Sequence, residues 1–170
     1  MSRWRQARAI ALLPGVMAVL LPAIILIAGD GPDVGCGLDG LAAALPVVVG
    51  ATLILAGFVL WLWTVRLFAR IGGGTLAPWD PTQRLVVEGP YAHARNPMIT
   101  AVLAVLLGEA ALFGSAGILV LAAAFLVVNH AFFRLHEEPG LERRFGEQYR
   151  AYARAVPRWV PRRRPWAPRG

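Results

Sequence analysis

The sequence predicts an all-α integral membrane protein of about four transmembrane helices, closed by an amphipathic helix on the membrane surface. Three observations carry that expectation. Hydrophobic residues make up 57% of 170 residues and charged ones only 16%, with a mean hydropathy of +0.56, all far from globular norms. The apolar residues fall into four runs, and the charges collect between and after them. From Arg134 onward there are ten Arg against four Glu, which accounts for six of the seven net positive charges.

Each run is measured against the roughly 20 residues that cross about 30 Å of hydrocarbon. The first, Ile10 to Ala28, follows Arg3, Arg5 and Arg8. A cleaved signal peptide competes there with an uncleaved anchor; the length of the run and the poor processing site LIAGD favour the anchor. The second, Leu41 to Phe68, carries Trp61 and Trp63 near its end, aromatics suited to an interface. The third, Met98 to Phe113, is short, and the fourth, Gly117 to Phe133, follows after only Gly114, Ser115 and Ala116. That spacing predicts a tight helical hairpin.

Arginine placement sets the orientation. The N-terminal arginines, the 69–97 connection with Arg70, Arg84 and Arg95, and the tail are all basic, whereas the loop between the first two runs holds Asp30, Asp33 and Asp39 and no basic residue. Both termini and the connection are expected in the cytoplasm of a bacterial inner membrane protein. The chain then divides into residues 1–68, with spans one and two, and residues 69–170, with the connection, the hairpin, the C-terminal helix and the tail. Within the connection, GGGTLAPWDPTQRLVVEGPY cannot be a span or a long helix, because Gly and Pro break both. Loops of that length commonly serve binding.

In the tail Leu141, Phe145, Tyr149, Tyr152 and Val156 recur at helical spacing, while Arg143, Arg144, Arg150 and Arg154 point elsewhere. The pattern predicts an amphipathic helix lying on the bilayer and stopped by Pro157 and Pro161. With spans next to it, the basic tail has anionic lipid headgroups as its simpler partner rather than nucleic acid. The single cysteine, Cys36, excludes an intramolecular disulfide and a Cys-based metal cluster, and no metal site is expected. Haem is disfavoured too: His93 lies in the connection, and no facing helix offers a partner to His130.

Chemistry gathers where the fourth run ends. Glu137 and Glu138 sit at a membrane exit, where charge is costly unless it is paired or used. Each candidate also has a plain structural role. Glu137 and Glu138 could pair with Arg134 or Arg144, Arg95 could touch phosphate headgroups, and Asn96-Pro97 could simply start a helix. Glu109, inside the third run, is taken as structural.

Three ordered blocks, GPYAHARNPM (89–98), LLGEAALFGS (106–115) and HEEPGLERRFGEQYRAYARAVPRW (136–159), resemble the integral-membrane methyltransferases that include isoprenylcysteine carboxyl methyltransferases and phospholipid N-methyltransferases. The resemblance covers residues 72–161 and implies S-adenosylmethionine as cofactor and a lipophilic acceptor reaching a cytoplasm-facing pocket from the bilayer. It implies a cofactor site of Gly89, Tyr91, Arg95, Asn96, Pro97, Glu137, Glu138, Tyr149, Tyr152 and Arg158, with Glu137 and Glu138 as the catalytic pair. Phe145, Gly146, Val156 and Pro157 complete the match. Ile99 stands where the family usually has Tyr, and His136 where it has an apolar or aromatic residue, which adds a titratable group beside the glutamates.

The residue types suit the chemistry independently. S-adenosylmethionine presents an ammonium, a ribose diol and a carboxylate, so its pocket wants carboxylates and a cation; Glu137, Glu138, Arg95 and Arg134 supply those charges. Methyl transfer is an in-line displacement, where positioning and dryness provide much of the rate. The competing reading is a non-enzymatic membrane protein whose basic tail binds anionic lipid or a partner protein.

Overall fold

Residues 15–29, 31–71 and 84–168 are described by a computed structural model. Arg3, Arg5, Arg8, the start of the first run, Asp30 and residues 72–83 of the connection lie outside them. The described residues are helical and contain no strand. Helix α1 (Leu21–Ala28) is entered through a π-helical turn, Val16–Leu20. Helix α2 spans Leu41–Ile71, α3 Pro97–Leu112, and α4 Ala116–Phe132. A second π-helical turn, Phe133–Glu137, runs directly into α5 (Glu138–Ala155).

Two helices are long and apolar enough to cross a membrane, Leu41–Leu67 within α2 and the rod that starts at Ala116; Val16–Ala28 and Pro97–Leu112 are apolar but shorter. At 1.5 Å per residue, the 31 residues of α2 extend about 46 Å, more than a hydrocarbon core requires. Large apolar side chains such as Leu45, Leu55 and Val59 on α2, and Val120, Val127 and Val128 on α4, are exposed. That surface is what lipid, rather than water, would cover.

Small residues let α2 and α3 approach closely. A Cβ added at Gly50 would fall 2.7 Å from the Gly108 carbonyl oxygen, and one at Gly57 2.7 Å from that of Ala101. Gly50 and Gly57 are seven residues apart, as are Ala101 and Gly108, so the antiparallel helices meet along a heptad seam of minimal side chains. Behind it, Leu106 and Ile118 are fully buried with Val102, Ala122 and Phe125, which joins α3 to α4.

The hairpin forms as expected. Gly114 takes φ +60, the Ser115 hydroxyl accepts from the Ile118 amide at 3.3 Å, and α4 starts there. The 31–40 loop docks on this turn, with the Asp33 amide donating to the Phe113 carbonyl at 2.9 Å.

The tail departs from expectation. It is not one straight helix on a lipid surface, because Gly146 adopts φ 52, ψ −127 and bends α5 sharply. Glycine alone accepts such a backbone without large strain. Nor does the apolar stripe face lipid: Tyr149, Tyr152 and Val156 are buried against Leu85, Val87, Leu141, Phe145 and Trp166. The two π turns share a cause. Each shortly precedes a proline, Pro22 or Pro139, whose ring collides with the carbonyl four residues back; the wider turn relieves the clash. In the second, the Glu138 amide donates to the Phe133 carbonyl, five residues back.

Candidate functional site

The site forms where three segments converge: the 89–97 turn leading into α3, the π turn that ends α4, and an extended strap after α5. Gly89–Ala92 makes one 3₁₀ turn. Gly89 needs its φ of +57 there, and its α-carbon faces the Trp63 ring of α2, so it shapes the turn rather than the cleft. Tyr91 is buried, and its carbonyl accepts the Tyr152 hydroxyl at 2.7 Å. Pro97, buried at the first turn of α3, needs no amide partner, and Asn96 precedes it as N-cap without a side-chain capping bond.

The strap clamps this turn through its main chain. Arg95 and Asn96 amides donate to the Pro157 and Arg158 carbonyls at 2.9 and 3.3 Å, and the Arg162 and Trp166 amides donate to His93 and Ala92, both at 3.0 Å. His93 Nδ1 lies 2.7 Å from the Arg162 carbonyl. Trp159 Nε1 donates to His130 Nδ1 at 3.1 Å, which ties the strap to the end of α4.

Glu138 is the hub. Arg158 grips it with two parallel bonds, Nε to Oε1 and Nη2 to Oε2, both 2.8 Å, and Arg95 Nη1 reaches Oε1 at 2.9 Å. All three side chains are at least four-fifths buried. The two guanidiniums outweigh the effect of burial and hold the Glu138 carboxyl below its ordinary value. A carboxylate so engaged is a poor proton acceptor.

Glu137 is placed differently. Among the described residues no guanidinium grips it; it is exposed at the surface, and burial of its carboxyl, then the charge of Glu138, push that carboxyl up to about 7 against the opposing pull of Arg144. That exposure lets a ligand reach it. Beside it a cleft of about 420 Å³ is lined by Arg134, Glu138, Pro139, Glu142, Tyr149, Arg150, Ala153 and Arg154. Burial raises the Tyr149 hydroxyl above its ordinary value, Glu138 adds to the rise and Arg95 opposes it.

Arg95 Nε and Asn96 Nδ2 are buried with no hydrogen-bond partner among the described residues. Buried donors normally find acceptors, so these two, adjacent at the start of α3, stand out as unsatisfied by the described residues. Of the residues expected at the site, Arg95, Asn96, Glu138, Tyr149 and Arg158 converge, Arg134 lines the cleft and Glu137 opens beside it. Gly89, Tyr91, Pro97 and Tyr152 instead build its frame. His136 is exposed, its ring 5.7 Å from that of Phe132. Glu109 lies at the far end of α3 from Arg95. The strap was missed as a clamp, although Trp159 beside Arg158 was a signal, since a half-buried indole N–H seeks a partner.

A family model described as phospholipid methyltransferase matches residues 45–148. No curated protein and no solved structure matches the chain significantly. Tyr149, Tyr152 and Arg158 lie beyond the matched range.

Proposed function

The chain belongs to the phospholipid methyltransferase family, and from that premise we propose that it transfers a methyl group from S-adenosylmethionine to a lipophilic acceptor at the cytoplasmic membrane face. In this reading four apolar helices span a bacterial inner membrane with both termini in the cytoplasm, residues 69–170 form the catalytic module, and the acceptor enters from the bilayer.

The observation that carries the reading is the division of labour between adjacent glutamates, one gripped by two arginines and the other open and hard to ionise. The donor set fits the cofactor. Arg95 Nε and Asn96 Nδ2 are buried donors awaiting acceptors, Glu137 is a reachable carboxyl, and Arg134 is an exposed cation on the cleft wall. S-adenosylmethionine, when bound, supplies a methyl group activated on a sulfonium. Glu138 orients Arg95 and Arg158, and Tyr149 closes the same corner. Glu137, partly ionised near neutral pH, accepts a proton when its carboxylate is free. A carboxylate acceptor, as in an isoprenylcysteine, needs no base, whereas an ammonium must lose a proton first; a base that titrates near 7 therefore favours a phospholipid amine.

Calorimetric titration of the detergent-purified protein with S-adenosylhomocysteine tests the cofactor, and transfer of labelled methyl groups into extracted lipid tests the acceptor. Saturable binding and a labelled phospholipid are expected. A protein that binds neither cofactor nor its product is not this enzyme, and the lipid-binding, non-enzymatic reading then stands.

A further inference from the structure

The strap that completes the site also packs against the tryptophan-bearing end of a candidate span. Trp159 and Pro161 line an apolar hollow of about 240 Å³ together with Leu60 and Trp63 of α2, so the strap packs on the interfacial end of a candidate span. Its next residues point outward. Val160 is 75% exposed, and Arg163 and Arg164 are exposed with no carboxylate partner among the described residues. Arg162 differs, because its amide bonds the His93 carbonyl and its Nη1 the Ala155 carbonyl, both at 3.0 Å. Two unpartnered guanidiniums beside an exposed apolar side chain, level with interfacial tryptophans, match a layer of negative headgroups with acyl chain beneath it.

The same strap carries Arg158 and holds Arg95 and Asn96 by their amides. Whatever fixes residues 160–164 therefore also restrains the guanidinium that grips Glu138. We propose that anionic phospholipid headgroups bind Arg163 and Arg164 and thereby lock the strap onto the 91–96 turn, making the assembled site dependent on membrane charge. A ligand that favours the docked strap shifts the equilibrium toward it only by its preference for that state. The proposal rests on the methyltransferase reading only for what the locked site then does.

Hydrogen exchange of the whole protein in nanodiscs tests it. The amides of Arg95, Asn96, Arg162 and Trp166, all in the clamp, are followed in neutral phosphatidylcholine discs and in discs doped with phosphatidylglycerol. Anionic discs should slow their exchange by about fivefold or more, the scale of one arginine at a charged surface. Arg163→Glu with Arg164→Glu should remove the difference between discs, whereas Arg84→Glu, an exposed charge outside the clamp, should keep it. Equal protection in the two discs, or a difference that survives the double reversal, overturns the proposal whether or not the protein binds cofactor. S-adenosylhomocysteine affinity is measured alongside. If the protein binds it, affinity should rise in anionic discs for the parent and stay flat for the double variant, and a parent with equal affinity in both discs overturns the coupling. Loss of cofactor binding everywhere, with the exchange difference intact, sinks the enzymatic reading and leaves the headgroup lock standing.

Discussion

Removing the charge of Glu138 leaves two mostly buried guanidiniums facing a neutral amide, so Glu138→Gln should destabilise the protein by about 1–3 kcal/mol, visible as a lower melting temperature in detergent. Glu137→Gln should leave melting nearly unchanged at neutral pH or raise it, while reducing methyl transfer. The two carboxyls also respond oppositely to pH. Glu138 lies below its ordinary 4.5, so its contribution is present above that value and lost as pH falls further. Glu137 is raised from 4.5 to about 7, so its contribution is present below 4.5 and lost as pH rises through about 7. Melting of the parent should decline over that upper interval and flatten in Glu137→Gln, and a parental decline that persists in the variant would refute the raised carboxyl. The charged members of this site were legible because a charge at a membrane exit demands an explanation. The split between the glutamates was not, since it depends on which arginines reach back across 43 and 20 residues.

At the scale of elements, the apolar runs were readable because hydropathy over a window needs no knowledge of partners, and the hairpin because its connector is too short for anything else. The bend in α5 was hidden. A 4-4-3-4 spacing suits a continuous helix, and an isolated glycine in such a pattern is usually tolerated at a cost of about 1 kcal/mol. Extended pairing between the strap and the 91–96 turn has no periodicity to detect. Two substitutions test these elements. Gly57→Leu would push atoms into the Ala101 carbonyl and part α2 from α3, lowering stability by about 1–3 kcal/mol in melting experiments. Gly146→Ala should strain the bend by about 1–3 kcal/mol and loosen the Arg150–Glu142 pair, with weaker cofactor binding as the measured consequence.

Over the whole molecule, the acidic 31–40 loop and the basic clamp lie at opposite ends of the α2–α3 pair, since the loop packs on the α3–α4 turn and the clamp on the start of α3. Cys36, exposed in that loop, should react with a membrane-impermeant maleimide from outside intact cells, and a reporter fused after Arg84 should be cytoplasmic. Labelling of Cys36 from the cytoplasmic side alone would invert the topology. The clamp adds a constraint in time. Synthesis proceeds from the N-terminus, so the helices emerge and can enter the bilayer before residues 157–166 exist. A polypeptide that stops short of Arg158 would hold its helices but leave Glu138 without its two-pronged partner and the Asn96 amide without its acceptor. In the proposed reading, competence thus arrives only once residues 157–166 have been made, and a product terminated before them should stay idle in the membrane.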